Sequence, residues 1–328
     1  MSHTPRLHII ATGGTIAMRN DPVTGGAVPA VTGAELTAAI PGLRLVGDIE
    51  VEEFANIPSE HMQPEFWLRL ARRIKSLLRT NPVDGIVVLH GTDVMEETAF
   101  FLDVTLPTHV PIVFTGAMRA ASDPKPDGPA NILDAATVAL NPDARDRGVL
   151  IVMHGDIHSA RRVTKIDTSA ADAFESIQPP DLGTVRSGLV EFSSAWSPRV
   201  HVPLPTELPR VDIISMYAGV DDFALRAALE RGAAGLVIAG VGAGNVNPAL
   251  FQGIQDALAQ DVPVVISSRV PYGGAQPLYG YVGGGMALHK AGGIFSRDLN
   301  PQKARVLLMV GLGAGYDSAG LETLFAYR

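Results

Sequence analysis

The sequence predicts an α/β fold, with a larger N-terminal domain built on a mostly parallel sheet and a smaller C-terminal α/β domain. Short runs of four to six residues are rich in Ile and Val and show no polar alternation, which is typical of strands buried on both faces of a parallel sheet. Segments with the apolar spacing of helices lie between these runs. Strands that alternate with helices of this length indicate βαβ units.

The predicted elements follow one another along the whole chain. Strands are expected over residues 7–11, 85–90, 111–115, 149–153, 211–216, 236–239 and 262–267. A helix is expected over residues 63–78, where Pro64 suits the first turn and one apolar face comprises Phe66, Leu70, Ile74 and Leu77. Further helices are expected from near Asp93 and over residues 132–140, 223–229 and 250–258.

The most linker-like stretch is residues 193–209. It shows no sustained period and carries Pro198, Pro203, Pro205 and Pro209. We therefore predict an N-terminal domain over residues 1–192, a linker over 193–209 and a C-terminal domain over 210–328. No internal repeat of the kind that builds solenoids is evident.

The composition excludes several classes of protein. The 328 residues include 26 Lys and Arg against 34 Asp and Glu, a net charge of −8, and the scattered basic residues argue against binding to nucleic acid or to an anionic membrane. The chain has no cysteine, which excludes disulfides, thiolate metal sites and a cysteine nucleophile. No apolar run reaches the roughly 18 residues that span a bilayer. No signal-peptide core precedes residues 7–11, so we expect a cytoplasmic protein.

The first candidate site follows the first predicted strand as ATGGTIA over residues 11–17. Ligands bind at the carboxyl ends of strands in open α/β sheets, and Gly13 and Gly14 would let a ligand approach the backbone. Thr15 then offers a hydroxyl that can act as a nucleophile beside a base. The alternative is a tight turn whose threonine caps a helix. A dinucleotide loop is disfavoured because the spacing Gly-x-Gly-x-x-Gly is absent.

The second candidate site follows another predicted strand as LHGTDVMEET over residues 89–98. Asp93 would lie at a helix N-terminus, where the helix dipole favours a negative charge, and Thr92 offers a second hydroxyl. Glu96 and Glu97 fall in the first turn of that helix, where acids are favoured for structural reasons alone. A capped helix after a strand is the alternative interpretation of this segment.

Together the two motifs resemble the signatures of the bacterial-type L-asparaginase family, TGGTIA and HGTDxMEET. Further segments resemble that family in the same order, so the likeness covers nearly the whole chain. They are NIPSEHM (56–62), TGAMR (115–119), DGPAN (127–131), RVTK (162–165), GVGAGN (240–245), SSRVP (267–271) and LNPQKAR (299–305).

The resemblance implies an amidohydrolase without a cofactor that converts L-asparagine to L-aspartate and ammonia. Thr15 is then the nucleophile that attacks the side-chain amide carbon and forms a threonyl acyl-enzyme. Thr92, Asp93 and Lys165 are expected as a polar trio in the same pocket. A partly desolvated lysine gives up its proton more readily, which makes it a usable base. Main-chain N–H groups at Thr15 or Thr92 would stabilise the oxyanion without a metal.

The resemblance also implies a set of substrate-binding residues. Ser59 would bind the α-carboxylate of the substrate, and Glu60 and Asp93 its α-ammonium group, while the segment around Ala117 would offer a backbone carbonyl. Many relatives carry Gln where this chain has Glu60, and Glu occurs in members with broader glutaminase activity. Asn245 would reach the active site of a neighbouring subunit, which implies a dimer with shared sites, commonly paired into a tetramer.

Two segments depart from the family pattern. The family's mobile lid carries a tyrosine that activates the nucleophile, whereas residues 18–32 contain none; we expect these residues to form a mobile loop that orders over the substrate. Many relatives also supply a glutamate after SSRVP, whereas residues 271–285 contain no acid. Tyr272, Tyr279 and Tyr281 are candidates to compensate.

Two further patterns are disfavoured as sites. HGDIH places His154 and His158 four residues apart, a spacing that suits a metal ion on a helix. We expect the first histidine to end a strand and the second to lie in a loop, as ordinary surface or capping residues, and therefore predict no metal site. GVGAG over residues 240–244 resembles a dinucleotide loop but lacks the third glycine at the required spacing.

The sequence therefore predicts an L-asparagine amidohydrolase and leaves two alternatives open. One is a glutaminase-asparaginase, or an amidase for another small amino-acid amide. The other is a catalytically weak protein that binds asparagine or aspartate on the same scaffold. The expected partners are a small-molecule substrate and further copies of the chain.

Overall fold

The computed structural model describes residues 4–177, 181–193 and 199–326. Within it the chain divides into two compact units, Met1–Arg199 and Val200–Arg328. The division falls inside the stretch 193–209 that we predicted as a linker, of which residues 194–198 lie outside the described residues. The domain limits given above stay a prediction.

The first unit is built on an eight-stranded sheet. The strands of this unit are β1 (Arg6–Ala11), β2 (Met18–Asp21), β3 (Gly26–Pro29), β4 (Asp48–Glu53), β5 (Gly85–Leu89), β6 (Ile112–Thr115), β7 (Val149–Met153), β8 (Asp156–Ser159), β9 (Val163–Lys165), β10 (Phe174–Ser176), β11 (Gly183–Arg186) and β12 (Leu189–Phe192). The pairs β2–β3 and β9–β10 form two small antiparallel sheets of their own. The order in the large sheet is β12-β11-β8-β7-β6-β5-β1-β4. Neighbours from β7 to β4 are parallel, and those from β7 to β12 are antiparallel.

The helices of the first unit cover the parallel part of this sheet. They are α1 (Gly33–Ala38), α2 (Leu43–Val46), α3 (Pro64–Thr80), α4 (Met95–Thr105) and α5 (Gly128–Ala139). The central strand β5 is buried along its whole length, and α5 packs on β5, β6 and β7. The face of α3 that the sequence predicted is buried at Phe66, Leu70, Ile74 and Leu77.

The second unit has a parallel four-stranded sheet of its own. Its strands are β13 (Val211–Ser215), β14 (Gly235–Gly240), β15 (Val264–Ser268) and β16 (Ile294–Phe295), in that order across the sheet. Its helices are α6 (Phe223–Glu230), α7 (Pro248–Leu258), α8 (Gly285–Lys290), α9 (Pro301–Gly313) and α10 (Ser318–Ala326). Helices α7 and α9 both begin with a proline after an asparagine cap, in which Asn247 and Asn300 accept the N–H of Leu250 and Lys303.

The predicted fold class is confirmed, and the structure differs from the sequence prediction in detail. Residues 18–32 were expected to form a mobile loop, and the structure shows that β2 and β3 pair within them as an antiparallel hairpin. The helix expected from near Asp93 begins at Met95, and Val94 is its N-cap. The acidic strand β4 was not predicted, because it lies at the sheet edge and buries none of its residues fully. No helix in the described part of the chain combines the length and the apolar character needed to span a bilayer.

Candidate active site

Two turns leave the large sheet side by side at its carboxyl edge. β1 and β5 are parallel neighbours, with Ala11 paired to Leu89, so the first turn (residues 12–15) and the second turn (residues 90–93) start at the same level. The backbone N–H and the hydroxyl of Thr12 both donate to the carbonyl oxygen of Leu89, at 2.9 and 2.8 Å. The two motifs that the sequence placed on separate strands therefore form one site.

The two turns are in direct backbone contact at Gly14 and Gly91. A Cβ on Gly14 would lie 2.2 Å from the Cα and 2.3 Å from the nitrogen of Gly91, which real atoms never approach so closely. Gly14 also has a φ of 88°, a conformation that side-chain-bearing residues rarely adopt. Thr15 follows directly and is half-buried at the start of a short 3₁₀ turn, whereas the next residue, Ile16, is buried. Thr15 therefore lies one residue beyond the point at which the two turns meet.

The segment around Ser59 is held against both turns. The peptide groups of Ile57 bind the first turn through hydrogen bonds to Thr12 O (3.1 Å) and from Gly14 N (3.2 Å). Ser59 is 2% exposed, and its Oγ accepts the N–H of Asp93 at 3.3 Å. With that lone pair engaged, the hydroxyl hydrogen of Ser59 remains available to donate to a ligand.

Lys165 reaches the second turn from β9. Its Nζ donates to Thr92 Oγ1 at 2.9 Å and to Asp93 Oδ1 at 2.7 Å. The lysine side chain is 18% exposed and the aspartate side chain 59% exposed, so the ion pair lies at the mouth of the site. The backbone N–H of Lys165 donates to the buried carboxylate of Glu96 at 3.1 Å, which fixes the lysine relative to α4. The structure therefore brings together the polar trio that the sequence predicted.

His90 is a buried, neutral histidine that begins the second turn. Its Nδ1 lies 2.6 Å from the carbonyl oxygen of Gly91, and a carbonyl can only accept, so Nδ1 carries the proton. Complete burial lowers the pKa of the imidazole from its ordinary 6.5 to about 4. Its Nε2 is buried and has no hydrogen-bond partner among the described residues. By holding Gly91 O, His90 fixes the peptide plane that carries the Thr92 N–H.

The turn after β6 closes the site on another side. A Cβ on Gly116 would lie 2.5 Å from His90 O and 3.2 Å from Thr92 Cγ2, so this turn packs directly on the second turn. Ala117 is 1% exposed. Its neighbours along the chain are hydrogen-bonded to Asp127 and Asn131 at the start of α5.

Two predicted site residues make no hydrogen bond to the two turns among the described residues. Glu60 follows Ser59 and is exposed, and it makes no hydrogen bond or ion pair with the described residues. Asn245 lies in the second unit, in the turn after β14, where its Oδ1 accepts the N–H of Gly285 at 3.2 Å. The three tyrosines proposed to compensate for the lid also lie in the second unit, each about half exposed: Tyr272, Tyr279 and Tyr281.

The histidine pair differs from the prediction. His154 lies in the turn after β7 with a φ of 52° and is exposed. His158 was expected in a surface loop, which is wrong: it lies in β8, is 2% exposed, and its Nδ1 is 2.9 Å from Ser176 Oγ. His158 is therefore a buried residue of a strand and not a surface or capping residue. Across residues 4–177, 181–193 and 199–326, no group of three or more potential ligands could hold a metal ion.

Sequence reasoning missed several residues that support the site. Glu96 was interpreted only as an acid of the first helical turn, yet it binds the backbone of a residue 69 positions away. Asp127 and Asn131 were quoted only as part of a motif. The signal that could have identified them is an acid or amide at the start of a predicted helix close to a glycine-containing turn, because such a side chain can accept or donate hydrogen bonds to the backbone of the turn.

Comparison with known proteins defines the class. The chain matches the model "Asparaginase, N-terminal" over residues 6–197 and the model "Glutaminase/Asparaginase C-terminal domain" over residues 210–325. The protein therefore belongs to the asparaginase family, as the two signatures predicted.

Individual relatives match along nearly their whole length. The probable L-asparaginase of Deinococcus radiodurans is 44% identical over 331 residues, which covers 98% of this chain and 97% of that protein. L-asparaginase 2 of Escherichia coli is 35% identical over 336 residues, 98% of this chain and 92% of that protein. The crystal structure of a probable cytoplasmic L-asparaginase from Campylobacter jejuni superposes with a TM-score of 0.90 at 36% identity, covering 99% of this chain and 100% of that chain.

Proposed function

We propose that the protein is an L-asparagine amidohydrolase that acts through a threonyl acyl-enzyme. The observation that carries this proposal is the position of Lys165 Nζ, 2.9 Å from Thr92 Oγ1 and 2.7 Å from Asp93 Oδ1, on a turn that touches the turn of Thr15. A nucleophile needs a nearby group that accepts its proton. The names of the relatives, L-asparaginases from several bacteria, support the same substrate.

The reaction has two halves. In the first, Thr15 Oγ forms a bond to the side-chain amide carbon of asparagine, the carbon–nitrogen bond breaks, and the threonine proton leaves with ammonia. In the second, water attacks the ester carbon, and its proton returns to Thr15 as L-aspartate is released. Lys165, Thr92 and Asp93 exchange protons with the reacting groups, because Lys165 donates to both partners and is mostly withdrawn from water.

Charged groups around the site suit an amino-acid substrate. Ser59 donates its hydroxyl hydrogen to the α-carboxylate, since its oxygen already accepts the Asp93 N–H. Asp93 and Glu60 carry the negative charges that attract an α-ammonium group. Thr92 N–H, in the peptide plane that His90 fixes, donates to the oxyanion.

A glutaminase-asparaginase is the second candidate, and Glu60 favours it. A carboxylate there is exposed and has no partner among the described residues, so it is free to adapt to a substrate that is one methylene longer. We further propose a cytoplasmic homo-oligomer, a dimer or a tetramer, in which Asn245 completes the site of a neighbouring subunit.

Ammonia release tests the proposed function. We expect release from L-asparagine by the wild type and none by Thr15→Ala, measured with L-glutamine and a panel of other small amides alongside. Comparable rates on L-glutamine would indicate the second candidate. Binding of L-asparagine by calorimetry without any ammonia would instead indicate a binding protein.

A further inference from the structure

The peptide groups on both sides of Ala117 are held by two side chains at the start of α5. Asn131 Nδ2 donates to Gly116 O at 3.0 Å. Asp127 Oδ2 accepts the N–H of Met118 at 2.9 Å, and its Oδ1 accepts the N–H of Arg119, also at 2.9 Å. Neither side chain is proposed above to contact the substrate, but together they bracket the residue whose carbonyl is expected to do so.

Asn131 has only one possible orientation in this arrangement. It is 2% exposed, and its Nδ2 faces three acceptors, Gly116 O at 3.0 Å, Asp127 Oδ2 at 3.3 Å and Met153 Sδ at 3.9 Å. Its Oδ1 accepts the backbone N–H of His154 at 3.1 Å. Turning the amide over would place donors against donors and an acceptor against acceptors, so its orientation is determined by its partners.

These contacts fix the direction of the Ala117 carbonyl. The carbonyl of Ala117 and the N–H of Met118 belong to one planar trans peptide and point in opposite directions. Because the N–H is directed at Asp127, the carbonyl points away from it. The peptide between Gly116 and Ala117 is fixed as well, because Asn131 Nδ2 donates to Gly116 O. The two peptide planes on either side of the Ala117 Cα are therefore both held by hydrogen bonds.

The same end of α5 also contacts the residue after Thr15. A Cβ on Gly128, the first residue of the helix, would lie 2.9 Å from Ile16 Cγ1 and 3.5 Å from Ala117 Cβ. The spacing between the Thr15 turn and the Ala117 turn is therefore set by the start of one helix.

We infer that Asp127 and Asn131 are positioning residues that aim the Ala117 carbonyl at the nitrogen of the scissile amide. This inference rests on the proposed function. A carbonyl can only accept, and asparagine has two kinds of donor, the α-ammonium group and the side-chain amide. Asp93 and Glu60 already suit the ammonium group, which leaves the amide nitrogen, the atom that departs as ammonia.

Two isosteric variants separate this role from a general structural one. Asp127→Asn replaces one of two carboxylate oxygens by an amide group, so either Met118 N–H or Arg119 N–H faces a donor. Asn131→Asp places an oxygen against Gly116 O. Asp123→Asn is the matched control, because Asp123 lies in the same loop and, within the described part of the chain, accepts only the Lys125 N–H, at 2.8 Å.

The test compares an amide with an ester that has no N–H at the scissile bond. The value of kcat/KM is measured for L-asparagine and for L-aspartate β-methyl ester, which forms the same acyl-enzyme and releases methanol. We expect both variants to lose about 10- to 100-fold on the amide, the worth of one buried hydrogen bond, and less than about 3-fold on the ester. The control should lose neither activity.

An equal loss on both substrates, or no loss on either, would overturn the inference. Circular dichroism and thermal unfolding of each variant show that the comparison is made on folded protein, and if one variant fails to fold, the other carries the comparison alone. Failure of the proposed function gives a different result, because the wild type itself would then release no ammonia from L-asparagine.

Discussion

Gly91 faces Ser59 so closely that a Cβ on the glycine would lie 2.7 Å from both Cβ and Oγ of the serine. The backbone of the second turn and the side chain proposed to bind the α-carboxylate therefore occupy adjoining space with no room for a methyl group. A small residue at this position is required by a substrate-binding side chain rather than by backbone conformation, since Gly91 is absent from the positive-φ residues.

Gly91→Ala is expected to raise KM for L-asparagine more than it lowers kcat. The added methyl group displaces Ser59, which removes a hydrogen bond to the substrate that is made before and during the reaction. Steady-state kinetics measure the split, with Gly280→Ala as the control, because a Cβ on Gly280 meets open space. A fall in kcat at constant KM would contradict the assignment of Ser59 to the α-carboxylate.

Lys165→Met is expected to lower kcat by roughly 10²–10⁴-fold, the usual contribution of a positioned proton-transfer group. The substitution keeps most of the aliphatic side chain while removing the donor to Thr92 and Asp93. Lys75→Met, on the exposed face of α3, is the matched control. If Lys165→Met has the wild-type rate, the lysine forms only a structural ion pair.

Asn245→Ala is expected to reduce activity in a homogeneous oligomer, and mixing it with Thr15→Ala is expected to restore part of that activity. In hybrids, a site can combine an intact Thr15 from one subunit with an intact Asn245 from another. The mixed, refolded oligomers are separated by differently sized tags and assayed for ammonia release. Hybrids that form but stay inactive would indicate that each site is made within one chain.

His90 is expected to make the protein less stable as the pH falls. Its pKa is about 4 in the folded chain because the ring is buried, against 6.5 ordinarily, so between these values only the unfolded chain binds the proton. The free energy of unfolding therefore decreases as the pH drops from 6.5 to about 4 and is unaffected by this group above that range. The shift corresponds to roughly 3 kcal/mol at the lower end.

His90→Asn isolates this contribution, because its amide can still donate to Gly91 O but does not titrate. Denaturant unfolding at pH 7, 5.5 and 4.5 and at one protein concentration gives the free energy for both proteins. The wild type should lose more stability across the series than the variant. Parallel curves would mean that the imidazole is not the group that responds.

The elements that could be predicted are those whose structure is determined by the spacing of apolar residues within a short stretch of sequence. The fully buried strands β5 and β7 stand out because both of their faces are apolar, and α3 because its buried face repeats at helical spacing. The edge strand β4 reads as DIEVEE, and its acids resemble a loop unless the pairing with β1 is known. The β2–β3 hairpin was missed because Pro22, Gly25 and Gly26 are typical of a mobile loop.

The site shows the same limit. The positions of Thr15, Thr92 and Asp93 after strands could be predicted because each lies in a continuous motif, and the parallel pairing of β1 with β5 brings the two motifs together. The contact of Asn131 Oδ1 with the His154 N–H joins residues 23 positions apart, and no spacing rule connects them. For the same reason His158 was placed in a loop, since its burial depends on strands that pair antiparallel beyond β7.

The hydrogen bond from Lys165 to Thr92 joins residues 73 positions apart along the chain. Closing a loop of that length costs chain entropy before any contact compensates it, so such contacts form late during folding. A nascent chain that has emerged only as far as β6 already contains both turns, but it does not yet contain Lys165, which donates to Thr92 and Asp93 in the second turn. The ion pair between Lys165 and Asp93 can therefore form only after β9 has been synthesised and has packed beside α4.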